Sequence, residues 1–149
     1  MVHKIKSGLF LVILFFLAGC QGDISSIPDL YVNVVRNIDT YKLNSSNSYL
    51  YIPKPVTALD ATGFGGIIIV HDLNDNNYYA FDLACPVEAD RNVKIGKPDL
   101  NFICECPSCG EKYDLKWGHG VPKINLKNKV LKRYSVSPPD SYNNLYVTN

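Results

Sequence analysis

Four cysteines in the second half of the chain are the residues whose type and spacing could support chemistry. Cys104, Cys106 and Cys109 lie close together, and Cys85 stands alone upstream of them. Four thiols in a small domain form two disulfides, hold one metal ion as thiolates, or stay buried and unreactive. The cysteine count alone leaves these three alternatives open, so the local sequence around each thiol has to be considered.

The segment Cys106–Gly110 has the spacing of a metal-binding knuckle. One tight turn presents both of its sulfurs to one ion, and backbone N–H groups in the turn stabilise the thiolates. Cys104 precedes Cys106 by two residues, so on a continuing strand both would project from the same face. Four thiolates suit a closed tetrahedral site. The spacing therefore indicates a metal site at Cys106 and Cys109, with Cys104 and Cys85 as the further thiols that could complete it.

Disulfides are the main alternative for the same cysteines. A Cys104–Cys106 bridge would be strained, because alternate residues of a strand lie near the upper limit of the allowed Cα spacing. A bridge between Cys106 and Cys109, or between Cys85 and either Cys104 or Cys106, is easier to form. Thiol–disulfide exchange by the Cys-x-x-Cys pair is not favoured, since such enzymes place the first sulfur at a helix N-terminus. No catalytic constellation accompanies the cysteines, so we expect no self-sufficient enzyme.

Short strands and frequent turns must position these cysteines. Strong β-forming runs separated by Asn-, Gly- and Pro-rich turns are typical of strands, and no amphipathic helix of three turns is present. The predicted strands cover 31–38, 49–52, 67–71, 78–82, 102–106, 112–115, 130–136 and 145–147. The Asn-rich turn at 74–77 predicts a hairpin between the third and fourth of them. The fold class is therefore all-β, an antiparallel sandwich or small barrel, and residues 30–60 should complete its sheet base.

Two other ring-bearing side chains are interpreted as structural. His71 ends an apolar strand, where most histidines are hydrogen-bonded core residues rather than metal ligands. Trp117, like the tyrosines, is expected to contribute to core and hairpin packing rather than to a binding platform.

The N-terminus has the features of an export signal. Lys4 and Lys6 precede an apolar run over 9–17, which is too short for a comfortable membrane span. The residues Leu17-Ala18-Gly19-Cys20 resemble the bacterial lipobox, which implies lipidation of Cys20. An ordinary cleaved signal or an uncleaved apolar helix are the alternatives. We predict a signal peptide at 1–19, a lipidated tether at 20–30 and a single β domain at 31–149.

The predicted export and the nearly balanced charge limit the classes of partner that we expect for the protein. Lipidation would place the protein in a bacterial cell envelope, with the periplasmic side favoured, and an exported domain is permitted disulfides. The lipid would attach it to the membrane. Lys and Arg number 15 against 14 Asp and Glu, so no basic excess indicates nucleic acid as a partner.

Residues from about 66 to 147 resemble a Rieske domain. In that family the first cluster loop has Cys-x-His, and the second has Cys-Pro-x-His-Gly followed by an aromatic residue and Asp. Here the two cysteine positions are Cys85 and Cys106, and Tyr113-Asp114 follow the second loop. Val87 and Cys109 stand where the family has its histidines. The resemblance implies an all-β fold in which two hairpin loops form a small cluster-binding lobe on a sheet base.

The resemblance also implies a function. Rieske-type domains on lipid anchors pass electrons to a protein redox partner or support one that does. The substituted histidines make the expected cofactor atypical: an iron–sulfur cluster, or zinc or iron bound by cysteines, or none. We expect an electron-transfer or redox module; the alternative is a structural or interaction lipoprotein of Rieske fold whose loops are held by disulfides.

Overall fold

The computed structural model describes residues 25–149 apart from Ser46 and Leu73. The predicted signal peptide at 1–19 and Cys20 lie outside the described residues. The strands are β1 Val32–Asn37, β2 Ser48–Ile52, β3 Ala61–Thr62, β4 Ile67–His71, β5 Tyr78–Asp82, β6 Ile103–Glu105, β7 Lys112–Asp114, β8 Val121–Pro122, β9 Arg133–Val136 and β10 Asn144–Thr148. A 3₁₀ segment spans Lys116–Gly118. Within the described ranges, no helix has both the length and the apolar character that a bilayer crossing requires.

The strands form one large and one small antiparallel sheet. Seven strands follow the order β2-β4-β5-β9-β10-β1-β3, and β6, β7 and β8 form the smaller sheet. The large sheet curls into a nearly closed, barrel-like base. The predicted all-β fold class is confirmed, and the segment 30–60 does supply β1 and β2 to the base.

The β4–β5 hairpin divides the interior into two cores because side chains alternate across a strand. Every residue of β4 is buried. Ile68 and Val70 face a core shared with the cysteine loops. Ile67 and Ile69 face a second core, formed with the other strands of the barrel. The continuous β-branched run thus forms a central strand that is covered on both faces.

Several element bounds differ from the sequence prediction. The strand expected over 130–136 begins only at Arg133. The two-residue strands β3 and β8 were not predicted, because two residues show no periodicity. The predicted hairpin turn is confirmed, and Asn76 in it adopts a φ of 57°, which Asn tolerates well.

His71 and Trp117, the two ring-bearing residues interpreted as structural, differ in burial. His71 is buried, stacks on Tyr78 with ring centroids 4.3 Å apart, and its Nε2 lies 3.0 Å from the side-chain oxygen of Asn76. The ring is thus packed in the core with one nitrogen hydrogen-bonded, while its buried Nδ1 has no hydrogen-bond partner among the described residues. The expectation for Trp117 was wrong, because its side chain is half exposed. Its backbone N–H donates to Asp72, so the backbone, rather than the indole ring, holds this segment against the barrel.

Candidate metal centre

Asp82, the last residue of β5, fixes the start of the first cysteine loop. Its buried carboxylate accepts the N–H groups of Gly65, at 3.0 Å, and of Ala84, at 2.7 Å. The Tyr134 hydroxyl donates to it at 2.6 Å. A Cβ at Gly65 would collide with the backbone of Ala84, so only glycine permits this close approach. The loop therefore leaves the sheet in one defined direction.

Cys85 is held by the backbone of its own loop. Its N–H donates to the Val93 carbonyl at 2.9 Å, and its carbonyl accepts the Ala89 N–H at 2.8 Å. The residue is fully buried. The Cys85 sulfur is thereby placed at the boundary between the first loop and the second.

The second loop forms a tight turn between Cys106 and Gly110, referred to below as the knuckle. The Cys106 N–H donates to the Glu111 carbonyl at 2.8 Å, and the Gly110 N–H returns to the Cys106 carbonyl at 2.9 Å. Gly110 has a φ of 75°, a conformation that costs glycine little. This turn brings Cys109 back beside Cys106.

The structure brings together the sulfurs of Cys85, Cys106 and Cys109, all within 4.8 Å of one another. The Cys85 and Cys109 sulfurs are 3.7 Å apart, and both thiols are free. Two sulfurs that are each about 2.3 Å from a tetrahedral ion are about 3.8 Å apart. The observed spacing therefore matches two ligands of one ion, whereas a disulfide requires about 2.05 Å. Cys85 and Cys106 are buried and Cys109 is partly exposed.

Burial governs the protonation of these thiols. It raises the pKa of Cys109 to about 12, and it raises the pKa of Cys106 although the N–H groups of Cys109 and Ser108 act in the opposite direction. Both groups are therefore neutral thiols near pH 7 when no cation is nearby. Binding of a metal ion would displace their protons.

Tyr113, on β7, is a buried neighbour that the ligand prediction did not include. Its hydroxyl oxygen lies 3.6 Å from the Cys85 sulfur. Burial, followed by the nearby Cys85, raises its pKa, so the hydroxyl keeps its proton. It is thus able to donate a hydrogen bond to a Cys85 thiolate. The aromatic position after the knuckle was the only sequence signal for this contact.

Cys104 is not part of the three-sulfur group. The predicted strand pleat is present: Cys104 and Cys106 are both buried and Glu105 is exposed. However, the convergent group contains Cys106 and not Cys104. Cys104 lies in the same core as Cys85 and Cys106, and burial raises its pKa to about 12.

Glu111 holds a third loop, residues 123–129, against the knuckle. Its fully buried carboxylate accepts the N–H groups of Ile124 at 2.9 Å, Asn125 at 3.2 Å and Leu126 at 2.7 Å. The Lys127 ammonium reaches the Val87 carbonyl of the first cysteine loop at 3.3 Å. Sequence reasoning missed Glu111, because nothing in the spacing of a single Glu indicates backbone partners.

The donors in the described part of the chain do not fit a Rieske [2Fe–2S] cluster. Such a cluster needs two cysteines and two histidines. Val87 offers no donor atom, and the exposed His119 does not belong to the convergent group. Three cysteines fit a single thiophilic ion better, since they leave one coordination position for water or another ligand.

Comparisons with known proteins find similarity in structure only. The sequence matches no protein-family model and no curated protein. The ferredoxin of carbazole 1,9a-dioxygenase from Nocardioides aromaticivorans IC177 aligns over 80% of this chain and 97% of its own, with 16% identity and a TM-score of 0.45. The Sphingomonas yanoikuyae B1 ferredoxin aligns over 81% and 96%, with 15% identity and a TM-score of 0.45. A protein described as an NADH-dependent nitrite reductase small subunit from Mycobacterium tuberculosis aligns over 81% and 97%, with 10% identity and a TM-score of 0.47.

Proposed function

We propose that this chain is a lipid-anchored protein of a bacterial cell envelope whose Cys85, Cys106 and Cys109 bind a thiophilic metal ion, and that the centre is a redox module for a protein partner. The observation that carries the metal site is the 3.7 Å spacing of the Cys85 and Cys109 sulfurs, with Cys106 in the same group. The lipobox-like sequence ending at Cys20 supports the anchor.

Iron or an atypical iron–sulfur centre would supply one-electron chemistry, whereas zinc would make the site structural. The surrounding residues suit an electron carrier. The Tyr113 hydroxyl lies beside Cys85, and hydrogen bonds to ligand sulfurs adjust the potential of such centres. The partial exposure of Cys109 gives a partner at the membrane surface close access to one ligand.

Purification of the full chain from an exporting bacterial host tests the metal site. Metal analysis should give one equivalent of bound ion for a single-ion site and two or more of iron for an iron–sulfur centre. A visible charge-transfer spectrum would identify iron, and its absence with a bound ion would identify zinc. After denaturation in the presence of a chelator, four thiols should react. A preparation without metal and with all four thiols free would overturn the proposal.

A disulfide is a second candidate, favoured by the same pair of sulfurs. The sulfurs of Cys85 and Cys109 are 3.7 Å apart and need only a small approach to form a bond. A disulfide of another exported protein would accept the two electrons and two protons that the pair of thiols releases. The bridge would join the two cysteine loops and add about 2–4 kcal/mol of stability. Non-reducing peptide mapping would then show a Cys85–Cys109 cross-link and only two reactive thiols.

A further inference from the structure

The N-terminal segment leaves the domain beside the first cysteine loop. The Ser26 hydroxyl donates to the carbonyl of Pro86, which directly follows Cys85. Ile27 is only 4% exposed, and Asp29 forms an ion pair with Lys132. The residues that precede Ser26 therefore join the domain at the end that carries the cysteines.

The loop 123–129 lies at this same end and combines exposed aliphatic side chains with positive charge. It exposes Ile124 and Leu126 by about half of their surface, at 54% and 49%. It also carries Lys123, Lys127 and Lys129 and contains no carboxylate. Glu111 fixes its backbone and Lys127 touches the first cysteine loop, so its position next to the tether is defined.

The turn between β9 and β10 marks the opposite end of the domain. Strand β5 runs towards Cys85, and β9 pairs with it antiparallel, with Ala80 opposite Tyr134. Residues 137–143, which follow β9, are therefore far from the cysteines. Tyr142 in this turn is 79% exposed and offers a matched control surface.

We propose that the cysteine-bearing end of the domain rests on the bilayer, with the loop 123–129 in the headgroup layer of an anionic membrane. This inference rests on the lipid anchor of the proposed function. Six residues lead from Cys20 to Ser26, a span of at most about 20 Å. Two exposed aliphatic side chains among lysines are the chemistry of an interfacial contact. Each lysine near an anionic surface strengthens the contact about fivefold.

Tryptophan quenching in vesicles tests this orientation. The chain has a single tryptophan, Trp117, and its backbone bond to Asp72 places it away from the cysteine end. In a Trp117→Phe background, Leu126→Trp and Tyr142→Trp each provide one reporter in the full, lipidated chain. The vesicles contain phosphatidylglycerol and lipids brominated on the acyl chains, which quench tryptophan at the membrane.

We expect the Leu126→Trp protein to be quenched at least twofold more than the Tyr142→Trp protein. Ile124→Trp should match Leu126→Trp, so the result does not depend on the folding of one variant. Equal quenching at positions 126 and 142, or stronger quenching at 142, would overturn the orientation.

The mass of the N-terminal peptide shows whether Cys20 carries lipid. It therefore distinguishes a failure of the proposed orientation from a failure of the proposed anchor. With lipid on Cys20 and no preferential quenching at 126, only the orientation is wrong. With no lipid on Cys20, the anchor of the proposed function is wrong and the orientation is refuted with it. Replacing Lys123, Lys127 and Lys129 by Gln should lower the quenching at 126, whereas unchanged quenching would contradict the role of anionic lipid.

Discussion

Cys104 and Cys109 are the same residue type five positions apart, yet their surroundings assign them different roles. Cys109 shares a pocket with two other sulfurs and is partly exposed. Cys104 is fully buried and lies outside that sulfur group. A thiol in the first environment can lose its proton to a metal ion, whereas a thiol in the second behaves as a small apolar side chain.

Substitutions at these two cysteines should therefore separate binding from stability. Cys109→Ser should weaken the binding of Co(II) at least tenfold, because one of three thiolate ligands is lost. Cys104→Ala should leave the binding unchanged and destabilise the fold by about 1 kcal/mol, since it removes one buried group. Titration of the thiolate–cobalt absorption measures the first effect, and urea unfolding of the metal-free proteins measures the second. Equal loss of binding in both variants would make Cys104 a ligand.

The Glu111 carboxylate connects the loop 123–129 to the knuckle through backbone N–H donors, and this connection involves no helix or strand pairing. Burial opposes ionisation of this carboxyl, but the N–H groups of Leu126, Ile124, Lys112 and Asn125 outweigh it and lower the pKa of Glu111. The ionised form is thus bound more tightly by the folded chain than by the unfolded chain. Its contribution to stability is present above the unfolded pKa of about 4.3 and is lost as the pH falls through the lowered folded pKa.

The Glu111→Gln variant should reveal this pH dependence of the free energy of unfolding. The amide is a weaker acceptor for the N–H groups, so we expect a loss of about 1–3 kcal/mol at neutral pH. The difference from the unsubstituted protein should shrink in acid, because Glu111 is then protonated and the unsubstituted protein loses the advantage of its carboxylate, whereas the Gln variant has none to lose. Urea unfolding of both proteins across the acid range measures this difference in the free energy of unfolding. Glu105→Gln is the control, since Glu105 is exposed and forms a surface ion pair with Lys112 at 3.4 Å; a comparable loss there would contradict the assignment.

Elements with a strong local signal were predictable from the sequence, and contacts between distant loops were not. The β4–β5 hairpin follows from an apolar β-branched run and an Asn-rich turn. The grouping of Cys85 with Cys106 and Cys109 followed from the resemblance of two separated loops to one family. The separation of Cys104 from the three-sulfur group has no local sequence signal, because it depends on how the two loops meet in space.

The cysteine loops are held on one side of the β4–β5 hairpin, and most of the barrel lies on the other. Ile68 and Phe81 contribute to the core under the loops, whereas Ile69 and Ala80 face the barrel core. The two halves share their central strands and therefore should unfold together. A ligand that joins the two loops stabilises the whole domain through this shared hairpin.

Removal of a bound ion should accordingly lower the unfolding temperature of the entire chain. At a free metal concentration of 100 times the dissociation constant, binding contributes about 2.7 kcal/mol, or roughly 10 °C for a domain of this size. Thermal unfolding with and without a chelator measures the shift. A chelator-sensitive transition indicates the ion, and a transition lowered by a thiol reductant alone indicates the Cys85–Cys109 bridge. If neither reagent moves the transition, the barrel and its two cores determine its stability, and no ion or covalent bridge joins the loops.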